Sequence, residues 1–383
     1  MIKKVYRLPF RILGIPVDLD LTFLLILPVL AWLIGSQLGR FIAVFNLPVD
    51  AELLTRGVRP YLLGLIAAVG LFASVLIHEL GHSVIGRMFH FRIRNITLWI
   101  LGGMAQFDRI PRRKGFEAIM AAAGPATSIL VGGVALLLLR ITPSDWPGTR
   151  FVLTYLMYMN FLLAAFNLLP ALPLDGGRVF RSLLALKLPF LEATQVATSI
   201  SKFLAIVLGL VGFLSLNIWL ILIAFFIYIA VSGEAQQATV TEALRGISVR
   251  DVMTHEVHTV AEDMTVSDLV HRMLTEHYLS FPVLDAEGRL TGFVTLQDVR
   301  KHRSTDGDEG RMRVAEIMSR RIDRIREHQS ALDAFQRIAN ADSGRLVVTN
   351  ADGRLSGIIS KTDLLRVVQV RMVEAELSET QAS

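Results

Sequence analysis

The sequence contains no cysteine, and this absence excludes both a disulfide framework and thiolate metal ligands. Any bound metal ion would therefore be held by histidine, aspartate or glutamate. Charge is also scarce: only 19% of the 383 residues are charged, whereas 52% are hydrophobic, and the mean hydropathy is +0.50. This composition is rare in a soluble protein of this length and typical of a chain with several membrane spans.

The charged residues are unevenly distributed along the chain. Long apolar runs dominate from Leu21 to Val231, whereas from about Thr239 charged and apolar residues alternate as in a soluble domain. We therefore predict a membrane domain over 1–235 and a linker over 236–246. The net charge of +5 would suit nucleic-acid binding, but the lysines and arginines flank the apolar runs. We interpret them as membrane-topology signals and expect no nucleic-acid partner.

The apolar runs predict about six transmembrane helices, since each crossing needs about 20 residues. The candidate spans are about 21–37, 60–88, 116–140, 151–169 and a long stretch at 197–232 that we divide at Ser215–Asn217. The first run lacks a small-residue cleavage site and is interpreted as a retained span. Loops on the N-terminal side carry 14 basic residues against 5 on the other side. The positive-inside rule then predicts a multi-pass protein of the cell membrane, with its N-terminus and soluble tail in the cytoplasm.

The second span contains a compact group of ionisable residues, His78, Glu79 and His82. On a helix the two histidines lie one turn apart on the same face, so that both imidazoles can reach one tetrahedral Zn²⁺. Glu79 is placed to take a proton from a water held by the metal. The alternative is a chance match, which would bury three ionisable groups in an apolar helix without purpose.

A third protein ligand is needed, and Asp175 is the best candidate. It follows the fourth span in a segment that begins at Asn167 and ends with Gly176 and Gly177. Prolines at positions 170 and 173 stiffen the approach, and the glycines are predicted to let the chain turn sharply afterwards. The alternative is an aspartate that caps a helix in a cytoplasmic turn.

Together these two motifs resemble those of the site-2 proteases, intramembrane zinc metalloproteases that cut transmembrane segments of membrane-bound regulators. The resemblance covers about residues 10–232. It implies one Zn²⁺ per chain, the metal ligands His78, His82 and Asp175, the catalytic Glu79, and a role for Asn167 in positioning substrate or stabilising an oxyanion. The implied substrate is a single-span or other membrane protein. Relatives often carry asparagine at the position of Ser128, a difference that we interpret as affecting helix packing.

Between the second and third spans, residues 95–107 are apolar, β-prone and too short to cross a membrane. We predict a re-entrant β-hairpin that turns at Gly102 and Gly103 and binds extended substrate along its edge. Similar strands in the resembled family support this interpretation. The alternative is an interfacial loop that merely packs on the helices.

Residues 247–303 and 314–370 repeat each other with an offset of 65, separated by a linker at 304–313 and followed by a tail at 371–383. Matching positions are Met253 with Met318, Gly288 with Gly353, Gly292 with Gly357 and Asp298 with Asp363. The residue pattern of each unit predicts a strand, a helix, a β-hairpin and a second helix. The pattern resembles a tandem pair of CBS domains, which implies an α/β module that can also form a homodimer.

In CBS domains a Ser/Thr-x-x-Asp sequence after the last strand holds a ribose. The matching residues here are Thr295 with Asp298 and Ser360 with Asp363. The resemblance implies an adenine nucleotide, ATP or AMP, bound by these residues. A helix N-cap has the same spacing, so purely structural repeats are the alternative.

The sequence thus predicts a polytopic α-helical membrane domain with a small re-entrant hairpin, joined to a soluble α/β CBS pair. The predicted function is an intramembrane zinc endopeptidase regulated by adenine nucleotide. The alternative is a CBS-regulated cation channel or transporter in which His78, Glu79 and Asp175 line an ion path.

Overall fold

The computed structural model describes residues 5–45, 51–91, 93–99, 102–107, 115–302, 312–338 and 344–382. The chain divides into two compact units, Met1–Ala235 and Gln236–Ser383. Several basic residues used for the topology prediction, including Lys3, Lys4 and those at 108–114, lie outside the described residues, as does most of the predicted linker at 304–313.

The first unit is mainly helical. Its helices are α1 (Leu21–Ser36), α2 (Leu38–Val44), α3 (Ala51–Thr55), α4 (Arg59–Met88), α5 (Phe116–Ile141), α6 (Pro147–Asn167), α7 (Asp175–Leu184), α8 (Phe190–Leu214) and α9 (Ile218–Ala243). Among the described residues, five helices are long and apolar enough to cross a membrane: α4, α5, α6, α8 and α9. The pair α1 and α2, bent by 53°, provides a sixth candidate. The protein is therefore a multi-pass membrane protein.

Most predicted helix positions are confirmed, and the differences lie at helix ends. The break between α8 and α9 falls at Ser215–Asn217 as predicted. However, α8 begins at Phe190, seven residues before the apolar stretch, because its first turns are amphipathic rather than uniformly apolar. Likewise α9 continues to Ala243, so most of the segment predicted as a linker is helical, and the last helix of the chain includes most of the predicted tail.

The helices pack through small residues and leave large apolar side chains outside. Ala67, Ala68 and Phe151 are buried in a cluster with Ile34 and Leu38, whereas many leucines and phenylalanines of the spans are exposed. At Gly64 an added Cβ would collide with the Ala31 carbonyl, so α1 and α4 approach at backbone distance. This is the packing expected of helices whose outer faces contact lipid.

A four-stranded sheet completes the first unit. Its strands are β1 (Val5–Ile12), β2 (Ile15–Asp20), β3 (Ile93–Trp99) and β4 (Gly102–Phe107), in the order β1-β2-β3-β4. The β3–β4 hairpin confirms the predicted one, and β4 is an edge strand. The sequence did not predict the parallel pairing of β2 with β3. These strands are distant in sequence, and no local pattern shows that they pair.

The predicted turn at Gly102 and Gly103 is wrong. Both glycines belong to β4, where Gly102 pairs with Trp99 and Gly103 pairs with Leu98. The φ of Gly102 is +134°, a conformation that glycine adopts without strain.

The second unit contains two three-stranded sheets with the same design. The first joins β5 (Val260–Ala261), β6 (Ser280–Leu284) and β7 (Leu290–Thr295); the second joins β8 (Arg324–Arg326), β9 (Arg345–Thr349) and β10 (Leu355–Ser360). Their helices are α10 (Val266–Glu276), α11 (Leu296–Lys301), α12 (Val314–Ile317), α13 (Ala331–Ile338) and α14 (Lys361–Ala382). Each repeat thus has the predicted strand, helix, hairpin and helix.

The two repeats exchange their leading segments. Val249 and Met253, at the start of the first repeat, are buried in the core that contains Ile325 and Ile359 of the second. Reciprocally, Val314, Ile317 and Met318 are buried in the core of β5, β6 and β7. Neither core is complete without the other repeat, so the pair forms one folding unit.

Candidate metal centre

Three buried side chains, those of His78, His82 and Asp175, converge inside the first unit. The Asp175 Oδ2 lies 3.2 Å from the His78 Nε2 and 3.3 Å from the His82 Nε2. The two Nε2 atoms lie 3.3 Å apart. Within the described residues, this is the one group of three side chains with suitable metal-ligand atoms.

These distances fit a zinc ion. Zinc–ligand bonds of about 2.0–2.1 Å in tetrahedral geometry place neighbouring ligand atoms about 3.3 Å apart. The three separations are 3.2–3.3 Å, so the three atoms can form one face of such a tetrahedron. A zinc ion held by these three atoms would keep its fourth position open, as in catalytic zinc sites.

The orientation of both imidazoles is fixed by hydrogen bonds from α5. The His82 Nδ1 donates to the Met120 carbonyl at 2.8 Å, so this nitrogen carries the proton and the Nε2 presents its lone pair. The His78 Nδ1 lies 2.9 Å from the Oγ of Ser128, a completely buried residue. Partners of this kind orient metal-binding histidines and raise their basicity.

Ser128 is completely buried, as suits the sequence-based interpretation of a packing residue, but packing is only part of its environment. Its hydroxyl contacts a candidate metal ligand directly, although 50 residues separate it from His78. One signal was available in the sequence: Ser128 follows Gly124 by one helical turn, which places two small residues on the same face of α5.

Gly124 provides the space that a metal ion requires. A Cβ added at this position would lie 2.6 Å from the His78 Nε2 and closer still to the His82 Nε2. Any side chain here would compete with a metal ion for the region in front of both nitrogens. A glycine at this point of α5 thus suits a bound ion.

Asp175 reaches the histidines because the preceding loop folds tightly onto α7. It is the first residue of this helix, and the two glycines predicted to form a turn are helical instead. An added Cβ at Gly176 would collide with the Leu168 carbonyl, and one at Gly177 with the Leu172 nitrogen. The glycines are therefore explained by close backbone packing, which brings the Asp175 carboxylate to α4.

Glu79 is half-buried and lies beside the sheet. A Cβ added at Gly103 would come within 2.5 Å of the Glu79 Cγ and 3.4 Å of its Oε1. Strand β4 therefore packs against the residue predicted to act as the base. Gly103 is better explained by this close approach than by a turn.

Asn167 is the last residue of α6, and its Nδ2 donates to the Leu163 carbonyl of the same helix at 3.0 Å. This bond fixes the amide at the end of the helix. Its role towards substrate or an oxyanion stays a prediction.

In the second unit, the four residues predicted to bind nucleotide form two helix caps. The Asp298 Oδ2 accepts from the Thr295 hydroxyl at 2.7 Å and from its backbone nitrogen at 2.9 Å. Ser360 and Asp363 repeat this arrangement at 2.6 and 2.9 Å. Thr265 and Asp268 also form such a cap, away from the end of either hairpin, so the motif alone does not identify a nucleotide site.

Comparisons with known proteins agree with both halves of this description. The family model described as Peptidase family M50 matches residues 66–145 and 143–208, and the CBS domain model matches 249–305 and 314–370. A zinc metalloprotease of Methanocaldococcus jannaschii is 32% identical over 97% of this chain and 98% of its own length. The Mycobacterium tuberculosis protein Rip3 is 27% identical over 96% of this chain and 94% of its own length.

Among solved structures, the site-2 protease from Methanocaldococcus jannaschii is 35% identical, with a TM-score of 0.43 over 60% of this chain and 95% of that one. The M50 match includes His78, Glu79, His82 and Asp175, and the full-length zinc metalloprotease relative extends through the CBS repeats. The chain therefore belongs to the zinc metalloproteases of peptidase family M50, in a form that carries a tandem pair of CBS domains.

Proposed function

We propose that this enzyme cleaves peptide bonds in or near the transmembrane segments of membrane-protein substrates. The observation that carries the proposal is the position of the three ligand atoms of His78, His82 and Asp175, 3.2–3.3 Å apart and buried among apolar helices. Buried ionisable groups in such helices are costly and are retained for function. Family membership favours this function over the channel or transporter alternative.

The proposed site holds one Zn²⁺ through His78, His82 and Asp175. When bound, zinc polarises a peptide carbonyl and lowers the pKa of a water molecule to about 7. Glu79 takes the proton of the attacking water on its carboxylate and delivers it to the leaving amine. The Met120 carbonyl holds His82 in the tautomer that leaves its Nε2 free, and Ser128 orients the His78 ring.

Strand β4 is the proposed docking edge for substrate. It is the outer strand of its sheet, and Gly103 packs on Glu79. A helical substrate must be unwound before its peptide bonds become accessible, and pairing with an edge strand satisfies the exposed backbone groups. We expect an extended substrate segment beside β4 to lie next to the catalytic carboxylate.

We further propose that the N-terminus and the CBS pair lie in the cytoplasm, following the bias of basic loop residues. The CBS pair is proposed to bind ATP or AMP at the Thr295–Asp298 and Ser360–Asp363 positions, since both caps follow the last strand of a repeat. A homodimer through the CBS repeats is a related prediction.

The test is reconstitution of the purified protein with zinc and a single-span substrate. Wild-type protein should bind one zinc ion per chain and cleave the substrate. Glu79→Gln removes the base but no ligand, so zinc content should persist while turnover falls by about 10²–10⁴-fold. Full activity of Glu79→Gln, or folded wild-type protein without bound zinc, would refute the proposal.

A further inference from the structure

A buried ion-pair cluster outside the metal centre joins three helices of the first unit. The Arg181 side chain, 8% exposed, lies on α7. Its Nη1 lies 2.9 Å from the Glu234 Oε1 on α9, and its Nη2 contacts the Glu117 Oε1 on α5. The guanidinium also lies over the Phe190 ring, 5.3 Å from the ring centroid.

Such a cluster is expensive to bury unless each charge is paired. One arginine satisfies two carboxylates here, because its planar guanidinium presents several donors in a fixed geometry. Lysine would keep the charge but lose this geometry. The mechanism proposed above uses none of these three residues, so their burial needs another explanation.

The helices joined by Arg181 are those that carry the metal-site groups. Asp175 is the first residue of α7, less than two turns before Arg181. On α5, Glu117 lies one turn before Met120, whose carbonyl orients His82. The cluster thus sets the position of α7 relative to the part of α5 that orients this imidazole.

The two ends of α7 are held in different ways. At its beginning, Gly176 and Gly177 pack against the backbone of the preceding loop. Near its end, Phe180 packs against an apolar cluster and Arg181 forms its two charged pairs. Apolar contacts alone tolerate a small tilt of the helix, and a displacement of about 1 Å is enough to spoil a metal or catalytic geometry.

We propose that Arg181 is a positioning residue for the metal centre, which holds the Asp175 carboxylate at the distance that zinc requires by fixing α7 to α5 and α9. This inference rests on the proposed zinc site. It predicts that a disturbance of the cluster weakens metal binding, although none of its members touches a ligand.

The experiment compares Arg181→Lys, Glu117→Gln and Glu234→Gln with wild-type protein in detergent. Zinc affinity is measured by competition with a chromophoric chelator, and ligand geometry by the visible spectrum of the Co²⁺-substituted protein. Arg150→Lys is the matched control, since Arg150 is a partly buried arginine of the same unit that donates to the Thr142 carbonyl at 2.8 Å.

We expect Arg181→Lys to weaken zinc binding by about tenfold or more and to alter the Co²⁺ spectrum, because a shift of α7 would displace the Asp175 carboxylate. Both glutamine variants should show smaller shifts in the same direction, and the control should match wild type. A purely structural role would lower thermal stability and leave both metal readouts unchanged, which would overturn the inference. If Arg181→Lys does not fold, wild-type metal affinity in both glutamine variants would overturn it equally. Absence of zinc from the wild-type protein would instead refute the proposed function.

Discussion

Gly124 and Ser128 lie one turn apart on α5 and both face the imidazoles of α4. One leaves space in front of the Nε2 atoms, and the other contacts a Nδ1 atom. Neither side chain is ionisable, so the sequence predicted neither of them as a metal ligand or a catalytic residue. Their contribution depends on small size and exact position in the packed structure.

Gly124→Ala should prevent metal binding, because its Cβ would lie 2.6 Å from the His78 Nε2 and closer to the His82 Nε2. We expect zinc content after purification to fall from one ion per chain to nearly none, as measured by elemental analysis. Gly133→Ala is the control on the same helix, since a Cβ there meets nothing within 4 Å among the described atoms. Normal zinc content in Gly124→Ala would show that the ion lies elsewhere.

Ser128→Ala removes the partner of the His78 Nδ1 and should weaken zinc binding by about 10–100-fold. The ring loses the bond that fixes its orientation, while the ligand atom itself remains. Chelator competition measures the affinity. Thr127→Ala serves as control, because the Thr127 hydroxyl donates to the Ala123 carbonyl of its own helix. Equal affinities in the two variants would contradict the assigned role.

At the scale of secondary-structure elements, the sheet of the first unit places an edge strand beside the catalytic helix. Strand β3 is internal, paired with β2 on one side and β4 on the other. Proline in β3 would therefore disrupt the sheet itself, so the outer strand β4 is the better place to test substrate pairing.

Ala105→Pro removes a backbone donor from the free edge of β4 and adds a ring there, so cleavage should fall by at least about tenfold while zinc content stays normal. Trp99 pairs with Gly102 across the hairpin, so the alternation along the strands turns the N–H of Ala105, opposite Ile96, away from β3. Ala105→Ser, the control, keeps the donor and should cleave at nearly the wild-type rate. Normal cleavage by the proline variant would argue against strand pairing at this edge.

The helix caps of the CBS repeats allow a similar comparison within one unit. Asp298→Asn removes the charge proposed to accept ribose hydroxyl groups, so ATP affinity should fall by about tenfold or more in calorimetric titration. Asp268→Asn alters a similar cap away from the proposed site, in which the Thr265 hydroxyl lies 2.6 Å from the Asp268 Oδ2 but, within the described residues, the Thr265 backbone nitrogen makes no bond to this carboxylate. If both variants bind ATP with wild-type affinity, Asp298 has only a capping role.

At the scale of the whole molecule, the chain combines a membrane metalloprotease with a CBS pair, and α9 runs without interruption from Ile218 to Ala243 before the first repeat. Glu234 on this helix pairs with Arg181 on the helix of Asp175. Because Glu234 lies close in sequence to the start of the second unit, we predict that any effect of nucleotide on cleavage depends on this ion pair.

Saturating ATP should change the cleavage rate of reconstituted protein by about fivefold or more, the usual range of coupling between two sites. Glu234→Gln should reduce this response, because it weakens the pairing of α9 with α7. Rates are compared at equal zinc occupancy with and without nucleotide. An identical wild-type rate under both conditions would exclude regulation by ATP.

The sequence by itself determined the class of the protein, the approximate spans, the repeats and the residues with metal-site chemistry. These features follow from local patterns: long apolar runs, a one-turn histidine spacing, and a repeat at constant offset. Helix ends were less predictable from these patterns. The roles of Gly103, Gly176 and Gly177 were not predictable, because they depend on the close approach of other segments of the chain.

Only the tertiary structure decided which atoms meet. The contacts of Ser128 with His78, of Gly124 with both imidazoles, and of Arg181 with two carboxylates join residues from separate helices. The hydrophobic pattern of the sequence likewise does not predict that the CBS repeats exchange their leading segments. Local sequence sets hydrophobicity and helix phase, whereas the packing of whole elements sets the ångström-scale distances on which metal binding and catalysis depend.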